Sequence, residues 1–212
     1  MLQFINFTKR YGTYPALKID DLSLETGIYW IKGVNGSGKS TLLKSIAGIL
    51  AFDGDILLDD SNISIKKQPV VYRKLVNFAE AEPIFPEFLT GTEMIALFAD
   101  AKDAPAGQEQ QYIKSMQMQS YVDKPIGTYS SGMLKKLSLL LAFLGQPKII
   151  LLDEPLITID AASLAILNTW IRERYEQEGT GFLLSSHQVL EDGSLPVSRE
   201  LLVEDQTLKF IS

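Results

Sequence analysis

Between Gly33 and Thr41 the chain reads Gly-Val-Asn-Gly-Ser-Gly-Lys-Ser-Thr, two glycines enclosing four residues and then Lys, Ser and Thr. No other stretch constrains the fold as much, because the pattern works only between an incoming buried strand and an outgoing helix. Both flanks comply. Gly27-Ile28-Tyr29-Trp30-Ile31 is apolar and β-favouring, and Leu42-Leu43-Lys44-Ser45-Ile46-Ala47-Gly48 has helical apolar spacing. The glycines let successive backbone N–H groups turn inward on a polyphosphate at the positive end of the helix. Gly33, Asn35, Gly36, Ser37, Gly38 and Thr41 then form the cradle of a nucleotide. Lys39 reaches its β- and γ-phosphates, and the Ser40 hydroxyl sits on Mg²⁺. A glycine-rich turn that binds nothing needs neither the Lys nor the hydroxyl.

Three downstream elements extend this reading. Ile149-Ile150-Leu151-Leu152 followed by Asp153-Glu154-Pro155 suits a strand buried on both faces of a parallel sheet. Ligands of such sheets gather at the carboxyl ends of strands, where these two acids emerge. Asp153 fits the acid that holds Mg²⁺ through water, and Glu154 the base that polarises an attacking water. Two acids closing a strand are also ordinary turn formers, but beside a phosphate loop the catalytic reading is favoured. Next, Tyr129-Ser130-Ser131-Gly132-Met133 precedes the apolar helix Leu134 to Leu144, where a serine caps a helix start in any case. Last, His187 is the only histidine and follows the apolar strand Phe182-Leu183-Leu184-Ser185-Ser186, which makes it a candidate sensor of the γ-phosphate.

With these residues in place, the chain resembles the nucleotide-binding subunit of an ATP-binding cassette (ABC) transporter over about residues 2–192, with the motifs in the family's order. Gly33 to Thr41 matches Walker A, and Ile149 to Glu154 matches Walker B with its catalytic glutamate. Ser130-Ser131-Gly132-Met133 sits at the Leu-Ser-Gly-Gly-Gln signature, in the Gly-Met variant of bacterial export-type subunits. Leu156-Ile157-Thr158-Ile159-Asp160 occupies the D-loop, and His187 matches the switch histidine. Phe7-Thr8-Lys9-Arg10-Tyr11-Gly12 resembles the aromatic loop, which makes Tyr11 the candidate for stacking on adenine; it and Tyr14 also fit as ordinary hairpin aromatics.

The resemblance implies an α/β fold of the P-loop NTPase type, an ABC ATPase cassette. It has a mostly parallel core sheet, an antiparallel β subdomain and an inserted helical subdomain. It implies one domain over 1–212, with the ATPase core at about 1–82 and 145–212 and the helical part at about 83–144. ATP and Mg²⁺ are the implied cofactors. Each ATP lies between the phosphate loop of one cassette and the signature of another, so Ser130, Gly132 and Asp160 serve nucleotide across a homodimer. The implied partners are membrane-spanning permease subunits, which places the chain in the cytoplasm at the inner face of the membrane. Phe85 and Phe88 are candidates for docking a short helix of such a subunit, and they fit equally as plain core.

Two departures stand out. The family's hinge glutamine is missing, and a gapless reading through Leu89-Thr90-Gly91-Thr92-Glu93 puts Ala81 there, between Glu80 and Glu82. Glu80 follows the strand Val76-Asn77-Phe78-Ala79 more closely and is favoured as the replacement ligand for the metal, beside Ser40 and Asp153. The alternatives are Glu82, or two solvated acids that leave the metal to Ser40, Asp153, phosphates and water. Ser131 replaces the first signature glycine.

Composition narrows the rivals. With 212 residues and 46% hydrophobic content, the chain can bury one good core. A net charge of −6 argues against a nucleic-acid binder. The absence of cysteine excludes disulfides and thiolate metal sites. The N-terminus shows no signal-peptide pattern, and the longest apolar run, residues 137–145, is too short to span a bilayer. A soluble cassette ATPase and a nucleotide-dependent regulatory module that does not hydrolyse ATP are the alternatives. Asp53-Gly54-Asp55 reads as a turn, Ala161 to Glu178 as an amphipathic helix, and residues 200–211 as a hairpin turning at Asp205-Gln206.

Overall fold

Alternating apolar residues make residues 2–24 a pair of strands, and the glycines set where the chain turns. The computed structural model describes residues 1–58, 63–186 and 195–211. Strands β1 (Leu2–Tyr11) and β2 (Tyr14–Leu24) form an antiparallel hairpin that turns at Gly12, and β3 (Ile28–Lys32) follows Gly27. Helix α1 (Lys39–Ile46) leads to β4 (Asp53–Leu58), β5 (Ile63–Ser64), α2 (Pro69–Leu75) and β6 (Val76–Ala79). A helical stretch comprises α3 (Gly91–Ala101), α4 (Gln108–Ser115), a 3-10 turn at Ile126–Thr128, and α5 (Ser131–Ala142). The chain then alternates through β7 (Ile149–Asp153), α6 (Ala161–Glu178) and β8 (Gly181–Ser185), and ends in the hairpin β9 (Arg199–Glu204) and β10 (Thr207–Ile211).

Two sheets result. The first is antiparallel with order β2-β1-β4-β5. The second has order β10-β9-β3-β8-β7-β6; its five neighbours from β9 to β6 are parallel, and only β10 runs against them. The β9–β10 turn is Asp205-Gln206, both at positive φ (48° and 61°), the geometry that matches the twist of a two-residue hairpin.

The parallel strands read as unbroken apolar runs because both of their faces are covered. Trp30, Ile150, Leu152, Phe182 and Leu184 face α5, α6 and the other helices, in a core with Leu140, Tyr112, Leu167 and Trp170. The alternate residues Tyr29, Ile31, Ile149, Leu151 and Leu183 face α1 and the antiparallel sheet, with Leu42, Ile46, Phe4 and Phe7. Among the described residues no helix is long and apolar enough to cross a membrane.

Some boundaries differ from expectation. Asp53-Gly54-Asp55 is not a turn but the start of β4. Gly54, at φ 84°, crosses a bulge in β1 at Asn6, where a Cβ would meet the Asn6 carbonyl oxygen at 2.2 Å. Helix α5 begins at Ser131, three residues before the expected Leu134, because the Ser130 hydroxyl accepts the Met133 amide and caps it. Helix α2 goes unread in the sequence, since Val70 and Val71 favour strand. Pro69 at its first turn gives up an N–H that has no helical partner anyway.

Candidate functional site

The loop between β3 and α1 is shaped by its glycines. At Gly33, with φ of 152°, a Cβ would lie 2.5 Å from Ser37 Oγ and 2.7 Å from the Val203 carbonyl, so only glycine fits. The loop closes through the Ser37 amide donating to Val34 O at 3.1 Å. Gly38 offers α1 no side-chain cap, and no acid sits in its first turn. The positive end of the helix is therefore left to whatever lies before it. Lys39 Nζ bridges its own loop, donating to Gly33 O at 2.8 Å and Val34 O at 3.3 Å. The buried Ser37 hydroxyl has no hydrogen-bond partner among the described residues.

A cavity of about 740 Å³ opens over this loop. Its walls are Gly33, Val34, Gly36, Ser37, Gly38 and Thr41, then Tyr11 and Tyr14 of the first hairpin, and residues 202–206 of the last. That volume suits a nucleotide-sized ligand. Tyr11 presents a half-exposed ring, its hydroxyl 3.5 Å from Thr41 Oγ1 and Lys9 Nζ 4.7 Å from its centroid. Asn35 and Ser40 are exposed and do not line the cavity.

Sheet register brings the acids to the same edge. Ile31 of β3 and Asp153 of β7 both pair with Ser185 of β8, so the phosphate loop and Asp153-Glu154 leave the sheet two strands apart. Asp153 is 1% exposed, and its Oδ1 accepts the Ser185 hydroxyl at 2.6 Å. Glu154 is buried and adopts φ of 45°, with its amide donating to Ser185 O at 3.0 Å. A non-glycine residue in that region costs on the order of 1–3 kcal/mol and persists only where its surroundings enforce it.

Lys135, which no motif in the sequence marks, lies against these acids. Its side chain comes from α5, is 0% exposed, and donates to Asp153 O at 2.9 Å, Glu80 O at 2.9 Å and Ala81 O at 3.3 Å. Burial pulls its pKa down to about 8, while the charges of Asp153, Glu154 and Glu80 oppose that fall. The sequence signal for it is a pair of lysines one turn into a helix that is otherwise largely apolar. The Glu80 carboxylate pairs with Lys44, in the last turn of α1. Among the described residues no three His, Cys, Asp or Glu side chains form a metal-holding group.

The signature residues stand apart from the cavity. Gly132 lies against the D-loop, where a Cβ would be 3.0 Å from Thr158 O. Asp160 caps α6 by accepting the Ser163 amide at 2.8 Å and meets Lys136 of α5 at 3.3 Å. The Ser163 amide, and after it the Ser163 hydroxyl, hold the Asp160 pKa down at about 2. None of Ser130, Gly132 and Asp160 lines the cavity. His187 lies outside the described residues.

A family model described as ABC transporter matches residues 17–157, well over half of the chain. The chain belongs to the ABC transporter family. This cassette is 33% identical over 192 residues to the cytochrome c biogenesis ATP-binding export protein CcmA of Legionella pneumophila, covering 90% of this chain and 94% of that protein. It is 28% identical over 214 residues to YdbJ of Bacillus subtilis, an uncharacterized ABC transporter ATP-binding protein, covering 99% and 68%. Its fold matches an ATP-binding subunit of an ABC transporter with a TM-score of 0.88 at 21% identity, over 99% of this chain and 88% of that one. It also matches the ATP-binding cassette MJ0796, a dimer in a post-hydrolysis state bound to ADP and Pi, with a TM-score of 0.84 at 21% identity over 100% and 99%. As a member of this family the cassette is an ATP-binding ATPase that powers transport.

Proposed function

We propose that this cassette holds MgATP on the loop Gly33–Thr41, hydrolyses it with Glu154 as general base, and works as an ATP-joined pair on membrane-spanning permease subunits. The observation that carries the reading is the shared register at Ser185, which delivers the phosphate loop and the Asp153-Glu154 pair from one edge of the sheet. Lys39 exchanges its two loop carbonyls for the β- and γ-phosphates, and the amides of Gly36, Ser37 and Gly38, with Asn35 and Thr41, cradle the remaining oxygens. Tyr11 stacks on the adenine from the wall of the cavity.

The donor set fits magnesium, a hard cation that takes few protein oxygens and keeps water. Ser40 at the start of α1 and Asp153, fixed by Ser185, would hold it. Once bound, the ion neutralises charge on the phosphate oxygens. Glu80, expected as a third ligand, has its carboxylate committed to Lys44 and is left out of the proposed shell. Glu154 takes the proton of the attacking water, and the role of γ-phosphate sensor falls to His187.

Ser130, Gly132 and Asp160 lie off the cavity of their own chain, which supports their acting on the nucleotide of a second cassette. The proposed division is an ATPase core at about 1–82 and 145–212 and a helical part at about 83–144. Ile84 and Phe88, 91% and 81% exposed, form the apolar surface offered to a permease helix at the cytoplasmic face of the membrane. Phe85 instead packs on the core beneath them. The test is light scattering of Glu154→Gln at saturating ATP, together with co-purification with a membrane subunit. An ATP-dependent dimer and a retained membrane partner support the reading. A strict monomer that retains no membrane subunit overturns it.

A further inference from the structure

We propose that Lys135 is a positioning residue for hydrolysis, one that clamps the signature helix to the main chain of the hinge and of the catalytic strand. The inference rests on the ATPase reading above and assigns to this chain a substitute for its missing hinge glutamine. Three features carry it.

An ammonium has three hydrogens to donate, and Lys135 makes three bonds, all to carbonyls: Glu80, Ala81 and Asp153. The acceptors sit at the ends of β6 and β7, which are neighbours in the sheet through Ala79 and Leu152. No side-chain motion of an acid can release these bonds, because each one holds backbone. The peptide group they hold at Asp153 leads directly into Glu154, whose φ of 45° sets the direction of the catalytic carboxylate.

The hinge is gripped from its other side as well. Glu80 offers its carbonyl to Lys135 of α5 and its carboxylate to Lys44 of α1. Ala81, at the place of the family's glutamine, has no polar side chain to contribute. A continuous path therefore runs from the phosphate-loop helix through Lys44, Glu80 and Lys135 to the peptide before Glu154. A buried ammonium serving only to stabilise the fold would be free to choose acceptors anywhere. Here all three are main-chain groups at the strand ends that bear the site.

The purified chain tests this through Lys135→Met, Lys135→Arg and Lys135→Gln, measuring kcat, KM for ATP and amide hydrogen exchange at residues 80–82 and 153–154. Lys135→Met is expected to lower kcat about tenfold or more while KM changes less than about threefold, because the interaction acts on the chemical step. Exchange should quicken at both segments and stay unchanged in the β1–β2 hairpin, and Lys135→Arg should restore most of the rate. A wild-type kcat in Lys135→Met, or an equal loss in kcat and ATP affinity with uniformly faster exchange, overturns the proposal. Should Lys135→Met fail to fold, Lys135→Gln decides: slower turnover with faster exchange at both segments supports the clamp, and wild-type behaviour in both measurements overturns it. A wild-type chain that shows no ATPase while Lys135→Met still loosens both segments would overturn the hydrolytic reading and leave the clamp standing.

Discussion

Ser185 donates its hydroxyl to Oδ1 of Asp153 at 2.6 Å, across adjacent parallel strands and in full burial. A hydrogen bond to a charged acceptor is worth about 1.5–3 kcal/mol, and its loss removes the Ser185 donor from a buried carboxylate oxygen. Ser185→Ala should therefore lower stability by that amount in urea denaturation. It should also raise the Mg²⁺ concentration needed for half-maximal turnover several-fold, since Asp153 loses its fixed orientation. An unchanged Mg²⁺ requirement would remove Asp153 from the metal site.

At Gly54 the left-handed backbone and the Asn6 carbonyl leave no room for a side chain. Gly54→Ala should destabilise the chain by more than about 1 kcal/mol, since both strain and contact oppose it. Thermal melting would show this, and wild-type stability would contradict the bulge.

Lys102 donates to the carbonyls of Arg73 and Val76, and burial lowers its pKa from the usual 10.5 to about 8. Its folded pKa lies below its unfolded one, so between about pH 8 and 10.5 the unfolded chain binds the extra proton. The stability contribution of this group thus rises as pH climbs through that window and is lost as pH falls through about 8. Melting temperatures of the wild type minus those of Lys102→Met should increase from pH 7.5 to pH 10, on the order of a few degrees. A flat difference would contradict the lowered pKa.

Tyr11→Ala should weaken ATP binding about fivefold, corresponding to roughly 1 kcal/mol of stacking, with little change in kcat. Affinity measured by fluorescence titration checks this. A kcat loss at unchanged affinity would move Tyr11 out of the base pocket.

Much of the fold is legible because its signals are local. Val76–Ala79, Ala161–Glu178 and the hairpin at Asp205-Gln206 carry their own periodicity or turn chemistry, and the structure places them as read. The phosphate loop is legible for the same reason, since the shapes of Gly33 and Gly38 are written into nine consecutive residues. What escapes is long-range. Lys135 meets Asp153 across 18 positions and Glu80 across 55, and Ser185 meets Asp153 across 32. Before the sheet order is known, nothing distinguishes Lys135 from its neighbour Lys136, which pairs with Asp160 instead. Glu80 is similar: its nearness to the strand end makes it a candidate metal ligand, and only the fold shows that Lys44, a helix away, pairs with its carboxylate.

The most direct measurement is phosphate release from ATP by the purified chain and by Glu154→Gln, with nucleotide binding followed in both. Glu154 as base requires magnesium-dependent turnover in the wild type and a loss of about a hundredfold or more in the variant. The variant should still bind ATP, because the amide keeps the shape of the carboxylate and gives up only its basicity. Turnover by Glu154→Gln at the wild-type rate would contradict the assignment of the catalytic base. A wild type unable to bind ATP would contradict the nucleotide site itself.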